Sequence, residues 1–393
     1  MSLDIWRHVR QVSINFTTRL GALLDSTFDR KQGDVNATAL NPLRLGEGRG
    51  SFSNGDVAIY KGEDVRTFAP LPPTPSDWAR PLQAVSNRNA AREVIHASQV
   101  LEQLKQINGK ECGIILREVA RLNTRERLIA SWFERRSSSP IAFTHELWRM
   151  IHKNGAAEEY GKALLVLINS KVTAYLVNLF STNNHVMKED LGRVPIPDPQ
   201  SMPVAQLASL AQELLNERAD LEKNFVMMYR ARLPEFDDGE VYIPPSAVLA
   251  ASKLPKLRLM DLVGRGEVRN NGVASGRIKA LTARNLIVCT ANPTDPNTAT
   301  FAQVLDLFLQ EPGRGDDTWS QAQNWQLPEM VAAADWLRTY NALCQQAQES
   351  WDRFVAQQQH VDELVANWYG FDAAMRAAIA EGLPWARRRR NNQ

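Results

Sequence analysis

The sequence has only three cysteines, Cys112, Cys289 and Cys344, and they lie far apart. That excludes a disulfide framework and a CxxC metal site, and it predicts reduced, buried thiols in a cytoplasmic protein. The six histidines (8, 96, 145, 152, 185 and 360) show no HxxxH or HxH spacing, so no metal site is expected. No run of about 18 apolar residues occurs, which predicts no transmembrane helix and no membrane partner. The opening "MSLDIWRHVRQ" lacks an apolar core, so no signal peptide is expected. Charge of one sign is also missing. The formal net charge is +2 over 393 residues, so any contact with a polyanion must come from a local patch.

Catalytic signatures are equally scarce. There is no Walker A loop and no Gly-x-Ser-x-Gly elbow. "GRGEVRNNG" holds a single Gly-x-Gly, too little for a nucleotide site. An amino-methyltransferase needs an Asn/Asp-Pro-Pro-aromatic loop and a glycine-rich cofactor turn. Asn41-Pro42 and Asn292-Pro293 are not followed by a second proline and an aromatic. A metal-dependent nuclease needs clustered acids and a lysine. Asp29 to Lys31 and Pro197-Asp198 match its fragments, but in the wrong order. A well-patterned chain without a catalytic constellation reads as a binding or scaffolding subunit rather than an enzyme.

What is present is a patterned chain with 44% hydrophobic and 23% charged residues, enough for a sizeable core. "VAIYKGEDVRTF" (57–68) alternates like a strand and turns at Lys61-Gly62. Residues 87–108 have helical spacing. "ECGIILREVA", "RLIASWF" and "SSSPIAFTHELWRMI" predict strands, and 160–181 predicts one helix. In "HVMKEDLGRVPIPDP" (185–199), Val194 and Ile196 alternate with Pro195 and Pro197. That predicts a last edge strand and a stiff junction. Two apolar seams follow. One runs Leu207, Leu210, Leu214, Leu221, Phe225 and Met228. The other runs Leu337, Tyr340, Cys344, Ala347, Trp351, Phe354, Val361, Val365 and Trp368. They pair most economically with each other; alternatively, each packs on a globular core.

Polar groups gather in two places. Arg117, Arg121, Arg125 and Arg127 lie in "LREVARLNTRERL", with Arg135 and Arg136 just beyond, and "YKGEDVR" adds Lys61 and Arg66. Arginine clamps phosphate and reads guanine. A helix would stack Arg117 and Arg121 on one face. The competing reading is a solvated face, with Glu118 and Glu126 neutralising two charges. "STNNHVMK" adds Asn183, Asn184 and Lys188, which suit bases and phosphates or a simple helix C-cap. The tail ends in Arg387 to Arg390, either a solvated end or a phosphate-contacting arm.

Four segments, in order, resemble the target recognition region of type IIG restriction-methyltransferases and type I specificity subunits. "AIYKGEDVRTF" resembles their entry motif and "ILREVARLNTRERLIASWF" their arginine-bearing strand pair. "ALLVLINSKVTAYLVNLFSTNNHVMKEDLGRVPIPDP" resembles their leucine-rich helix and proline exit. "VDELVANWYGFDAAMRAAIAEGLPW" resembles their closing helix. The likeness covers roughly 50–200 and 335–385. The chain departs from the type I pattern, showing one recognition domain and one spacer hairpin, and from type IIG enzymes, lacking the methyltransferase.

The expected fold is α+β. An α/β target recognition domain (1–200) precedes a spacer helix (201–233), a small α+β insertion (234–335), and a second spacer helix with a basic tail (336–393). The two spacers would form a long antiparallel coiled coil. The resemblance implies a non-catalytic specificity subunit of a restriction-modification or phage-defence system, bound to double-stranded DNA. It would direct a separate adenine-specific DNA methyltransferase, with a nuclease or translocase as a further partner. The chain itself would need no cofactor, and S-adenosylmethionine would sit on the methyltransferase. Alternatives are an assembly subunit without sequence readout, or the C-terminal half of a split type IIG enzyme. Expected DNA contacts are Lys61, Arg66, Arg117, Arg121, Arg125, Arg127, Asn183, Asn184 and Lys188. Expected partner contacts are Leu207, Leu214, Leu221, Trp351 and Trp368.

Overall fold

The structure, a computed structural model, describes residues 2–12, 19–44, 56–68, 78–80, 91–118, 128–153, 156–180, 188–234, 239–265, 268–270, 286–288, 296–312 and 319–382. The chain opens with α1 (Ser2–Val12), α2 (Leu20–Thr27), β1 (Phe28–Gln32), α3 (Ala37–Leu40), β2 (Val57–Tyr60), β3 (Trp78–Ala79) and α4 (Arg92–Leu104). Then come β4 (Lys110–Arg117), β5 (Ala130–Arg136), β6 (Ile141–Phe143), β7 (Leu147–His152), α5 (Glu158–Asn169), α6 (Lys171–Phe180), α7 (Lys188–Arg193) and α8 (Val204–Leu221). Next are α9 (Pro245–Ala251), β8 (Lys256–Arg258), α10 (Leu259–Gly264), β9 (Val268–Asn270), β10 (Leu286–Val288), α11 (Pro296–Leu309), α12 (Trp319–Ala322) and β11 (Gln326–Pro328). The chain closes with α13 (Ala333–Trp368) and α14 (Ala373–Glu381). Helices and mostly antiparallel sheet make an α+β chain. Among the described residues, no single helix is long and apolar enough to cross a membrane.

Two compact units are present. One is Met1–Ala219 with Phe354–Gln393; the other is Asp220–Arg353. The divisions fall inside α8 and α13.

In the first unit, the strand order β1-β7-β4-β5 builds an antiparallel sheet. The apolar run at 114–116 makes β4 a buried central strand. Gly113 sits where β4 crosses Met150 of β7, and a Cβ there would collide with the Met150 carbonyl. A second sheet has the order β3-β2-β6, with β2 and β6 parallel. The sequence pattern predicted a half-exposed β2, but all four of its residues are buried. Ala58 and Tyr60 pack with Ile115, Phe133 and Phe143 of neighbouring strands. Val57 and Ile59 pack on the other side with Leu101 and Leu104 of α4. A strand covered on both faces loses the polar alternation.

The helix predicted over 160–181 is two helices, α5 and α6, bent by 60° at Ser170. The break has local causes. Ser170 Oγ accepts the Thr173 N–H (3.2 Å), an N-cap that starts α6. The Lys171 N–H donates to Asp362 of α13 (2.8 Å). Asn169 uses its whole amide on β5, donating to Ala130 O and accepting from Ala130 N, both at 2.9 Å.

The predicted last edge strand shrinks to one bridge between Arg19 and Pro195. Val194 and Ile196 are buried, and Tyr369 Oη donates to Pro195 O (2.8 Å). The proline segment is thus pinned to the end of α13.

Within this unit, α8 and the C-terminal part of α13 run antiparallel. Trp368 Nε1 donates to Ser201 Oγ (3.1 Å), and Gln357 Nε2 donates to Glu217 Oε1 (3.5 Å). The Arg218 guanidinium lies 5.6 Å from the centre of the Phe354 ring.

Among its described residues, the second unit holds two small antiparallel ladders, β8–β11 and β9–β10. Its core is aromatic. Trp336 is fully buried, stacked on Tyr340 (5.1 Å) and tilted against Phe308 (5.4 Å). Trp336 therefore takes the seam position assigned to Leu337, which is only half-buried. The first seam also ends early, because Met228 is 58% exposed. A π-helical stretch at Glu222–Met227 widens the turn and rotates Met228 off the seam.

Candidate nucleic-acid interface

Three of the expected DNA contacts converge at one end of the first unit's sheets. After β2 the chain makes a tight turn. The Lys61 N–H donates to Asp64 Oδ2 (2.7 Å), and the Asp64 N–H donates back to Lys61 O (3.0 Å). The Gly62 N–H donates to Glu146 Oε2 (3.3 Å) in the β6–β7 turn. Arg117, the last residue of β4, donates from Nη2 to Val65 O (2.8 Å). Ser131 of β5 donates from Oγ to the carbonyl of Arg66. The Phe68 N–H donates to Ala130 O (2.8 Å), and Phe68 O accepts from Trp132 N (2.9 Å). So β4, β5 and the β6–β7 turn hold the 61–68 loop by its backbone. Lys61, Arg66 and Arg117 are brought to one face.

The helical backbone on which Arg117 would stack with Arg121 is not present at Arg117. Arg117 closes a strand, and its guanidinium braces the loop. The segment 119–127, with Arg121, Arg125 and Arg127, lies outside the described residues. The described residues on either side of it are bonded here: the Glu118 N–H donates to Glu146 O (3.1 Å), and the Arg117 N–H donates to Ile129 O (3.0 Å). Asn183 and Asn184 also lie outside the described residues, as do the Lys188 side chain and the Arg387 to Arg390 tail.

Charge at this face is close to balanced. Lys61, Arg66 and Arg117 stand among at least as many acids, Asp64, Glu118 and Glu146. The sequence between Glu118 and Leu128 carries three arginines against Glu126.

Arg135, grouped by sequence with the polar arginines, is instead one of the most buried charges in the unit. Its guanidinium donates to Asp34 Oδ2 (2.9 Å), Glu111 Oε1 (2.7 Å) and Ile141 O (3.0 Å). Arg149 donates to the other Asp34 oxygen, and Asp34 also accepts the Phe143 N–H (3.0 Å). Burial lowers the Arg149 pKa, and Asp34 opposes that shift. This network joins β4, β5, β6 and β7, with Glu111 and Arg135 paired at the opposite end of the β4–β5 ladder from Arg117. No local sequence signal marks it: Arg135 is buried between exposed Glu134 and Arg136.

The expected partner contacts mostly face inward. Leu207, Leu214, Leu221 and Trp351 are buried within the chain, so their side chains present no surface to a partner. Trp368 is half-buried and bonded to Ser201. A seam that pairs with a neighbouring helix is consumed by that pairing.

Among the described residues, no group of three or more His, Cys, Asp or Glu side chains is placed to hold a metal ion. A crevice of about 30 Å³ lies between Phe68, Leu128, Asn169 and Asp362. It has room for roughly one or two waters, too little for an organic ligand. No protein-family model matches the chain, and no curated protein matches it.

Proposed function

We propose that the chain recognises double-stranded DNA as the specificity subunit of a restriction-modification or related defence system, without catalysing a reaction itself. The observation that carries this reading is the meeting of the 61–68 loop, Arg117 and the residues flanking 119–127, Glu118 and Ile129, at one end of the sheets. These segments are distant in sequence, and two of the four resembling segments supply them. In this reading the first unit is the target recognition domain, and α8 with α13 is its spacer. Lys61, Arg66 and the arginines of 119–127 contact phosphates and base edges, and Arg117 braces the loop. A separate adenine methyltransferase, carrying S-adenosylmethionine, would supply the chemistry and co-purify with the chain. The exposed polar surface of the helix pair is where it would dock, since the apolar seam is buried.

The test is a salt titration of duplex binding by fluorescence anisotropy. Each lysine or arginine on a phosphate contributes about one unit to the slope of log affinity against log salt. Lys61→Ala with Arg66→Ala is therefore expected to lower the slope by about two and to weaken binding similarly on all sequences. An unchanged slope in the double variant would remove this loop from the interface.

A further inference from the structure

Phe68 ends the 61–68 loop with φ at +72°. That is the left-handed region, which a bulky L residue adopts only when its surroundings enforce it. Here the surroundings do so on both sides. Its backbone N–H and C=O are both bonded to β5, at 2.8 and 2.9 Å. Its ring is 1% exposed and meets Phe354 of α13 edge-on, with centroids 6.1 Å apart at 81°. Phe354 is itself 1% exposed, and the Arg218 guanidinium of α8 lies over its ring. An unbroken line of contacts therefore runs from the helix pair through Phe354 and Phe68 to the loop bearing Lys61 and Arg66.

We infer that Phe68 is a positioning residue for the candidate interface, and that Phe354 sets its position, so the helix pair and the 61–68 loop are energetically coupled. The inference rests on the DNA reading for its functional consequence, but its physical content does not need DNA. While the Phe354 ring is seated, it holds Phe68 in the strained conformation and keeps the loop against β5. When the ring withdraws, Phe68 relaxes toward ordinary φ, and the 66–68 backbone loosens from Ala130 and Trp132. Coupling of this kind is reciprocal, so an event that shifts α13 alters DNA affinity, and DNA binding steadies α13.

Hydrogen–deuterium exchange of the full chain tests this, comparing wild type with Phe354→Leu. The amides of Lys61, Gly62, Asp64 and Phe68 are expected to exchange about tenfold faster in the variant, while those of Ile114 and Ile115 in β4 keep their protection. On DNA, the salt slope of Phe354→Leu is expected to fall toward that of the Lys61→Ala, Arg66→Ala double variant, although both cations remain. Unchanged exchange in the loop overturns the coupling. So does faster exchange spread equally through β4 and β5, which marks a purely structural role. If Phe354→Leu does not fold, Arg218→Met, which removes the group over the Phe354 ring, is read the same way. Loop loosening in a protein that binds no DNA would refute the DNA reading and leave the mechanical coupling standing. Normal DNA binding with an unmoved loop does the reverse.

Discussion

Replacing Asp34 with alanine is expected to destabilise the first unit by about 3–5 kcal/mol, the usual loss when one partner of a buried ion network is removed. Asp34 is the shared anion of two guanidinium groups. Its side chain is 5% exposed, and those of Arg135 and Arg149 are 3% and 12% exposed. Without it, both cations stay in a low-dielectric interior with only Glu111 as a charged acceptor. The Phe143 N–H also loses its acceptor. For a body of this size, the loss corresponds to a fall in Tm of roughly 6–20 °C. Asp34→Asn keeps the shape and one acceptor, so a smaller loss is expected, though still above about 1 kcal/mol. Urea melts followed by circular dichroism measure both. A loss under about 1 kcal/mol for Asp34→Ala would mean that the network behaves as a solvated surface pair.

The second large effect falls on 119–127. The described part of the face carries no excess of positive charge, so its attraction for DNA depends on Arg121, Arg125 and Arg127. Converting all three to alanine removes three potential phosphate contacts. The salt slope is expected to fall by roughly two to three, and affinity about a hundredfold at moderate salt. The fold is expected to be unaffected, since the residues flanking the segment keep their bonds to Glu146 and Ile129. If affinity and slope both survive, the balanced face around Lys61 is not where DNA binds.

The two seams, the strands β4 and β5, and the turn at Lys61-Gly62 were legible in the sequence because each depends on local pattern. Apolar runs, periods of two or of three and four, and a Lys-Gly turn act over a few residues. What was not legible depends on partners far away. "FDRKQ" has no strand signature, and it becomes β1 only because β7 offers it a full antiparallel register from His152 to Trp148. The break at Ser170 looks like one more helical residue until Asp362 and Ala130 supply partners for its neighbours. Arg135 reads as a surface charge until Asp34, about a hundred residues away, neutralises it. Arg117 reads as a phosphate ligand until the 61–68 loop folds against it. Lys61, Arg66 and Arg117 were therefore legible as a set of basic residues, and the bracing of the loop by Arg117 was not.

The central claim is that this face reads DNA sequence. Its most direct measurement is selection of bound duplexes from a random-sequence pool with the purified full chain, repeated with the 119–127 triple variant. The account predicts enrichment of a short fixed site by the wild type, with enrichment lost in the variant. Tight, salt-sensitive binding that enriches no sequence would contradict it, and would leave an assembly subunit with a recognition-like architecture as the better description.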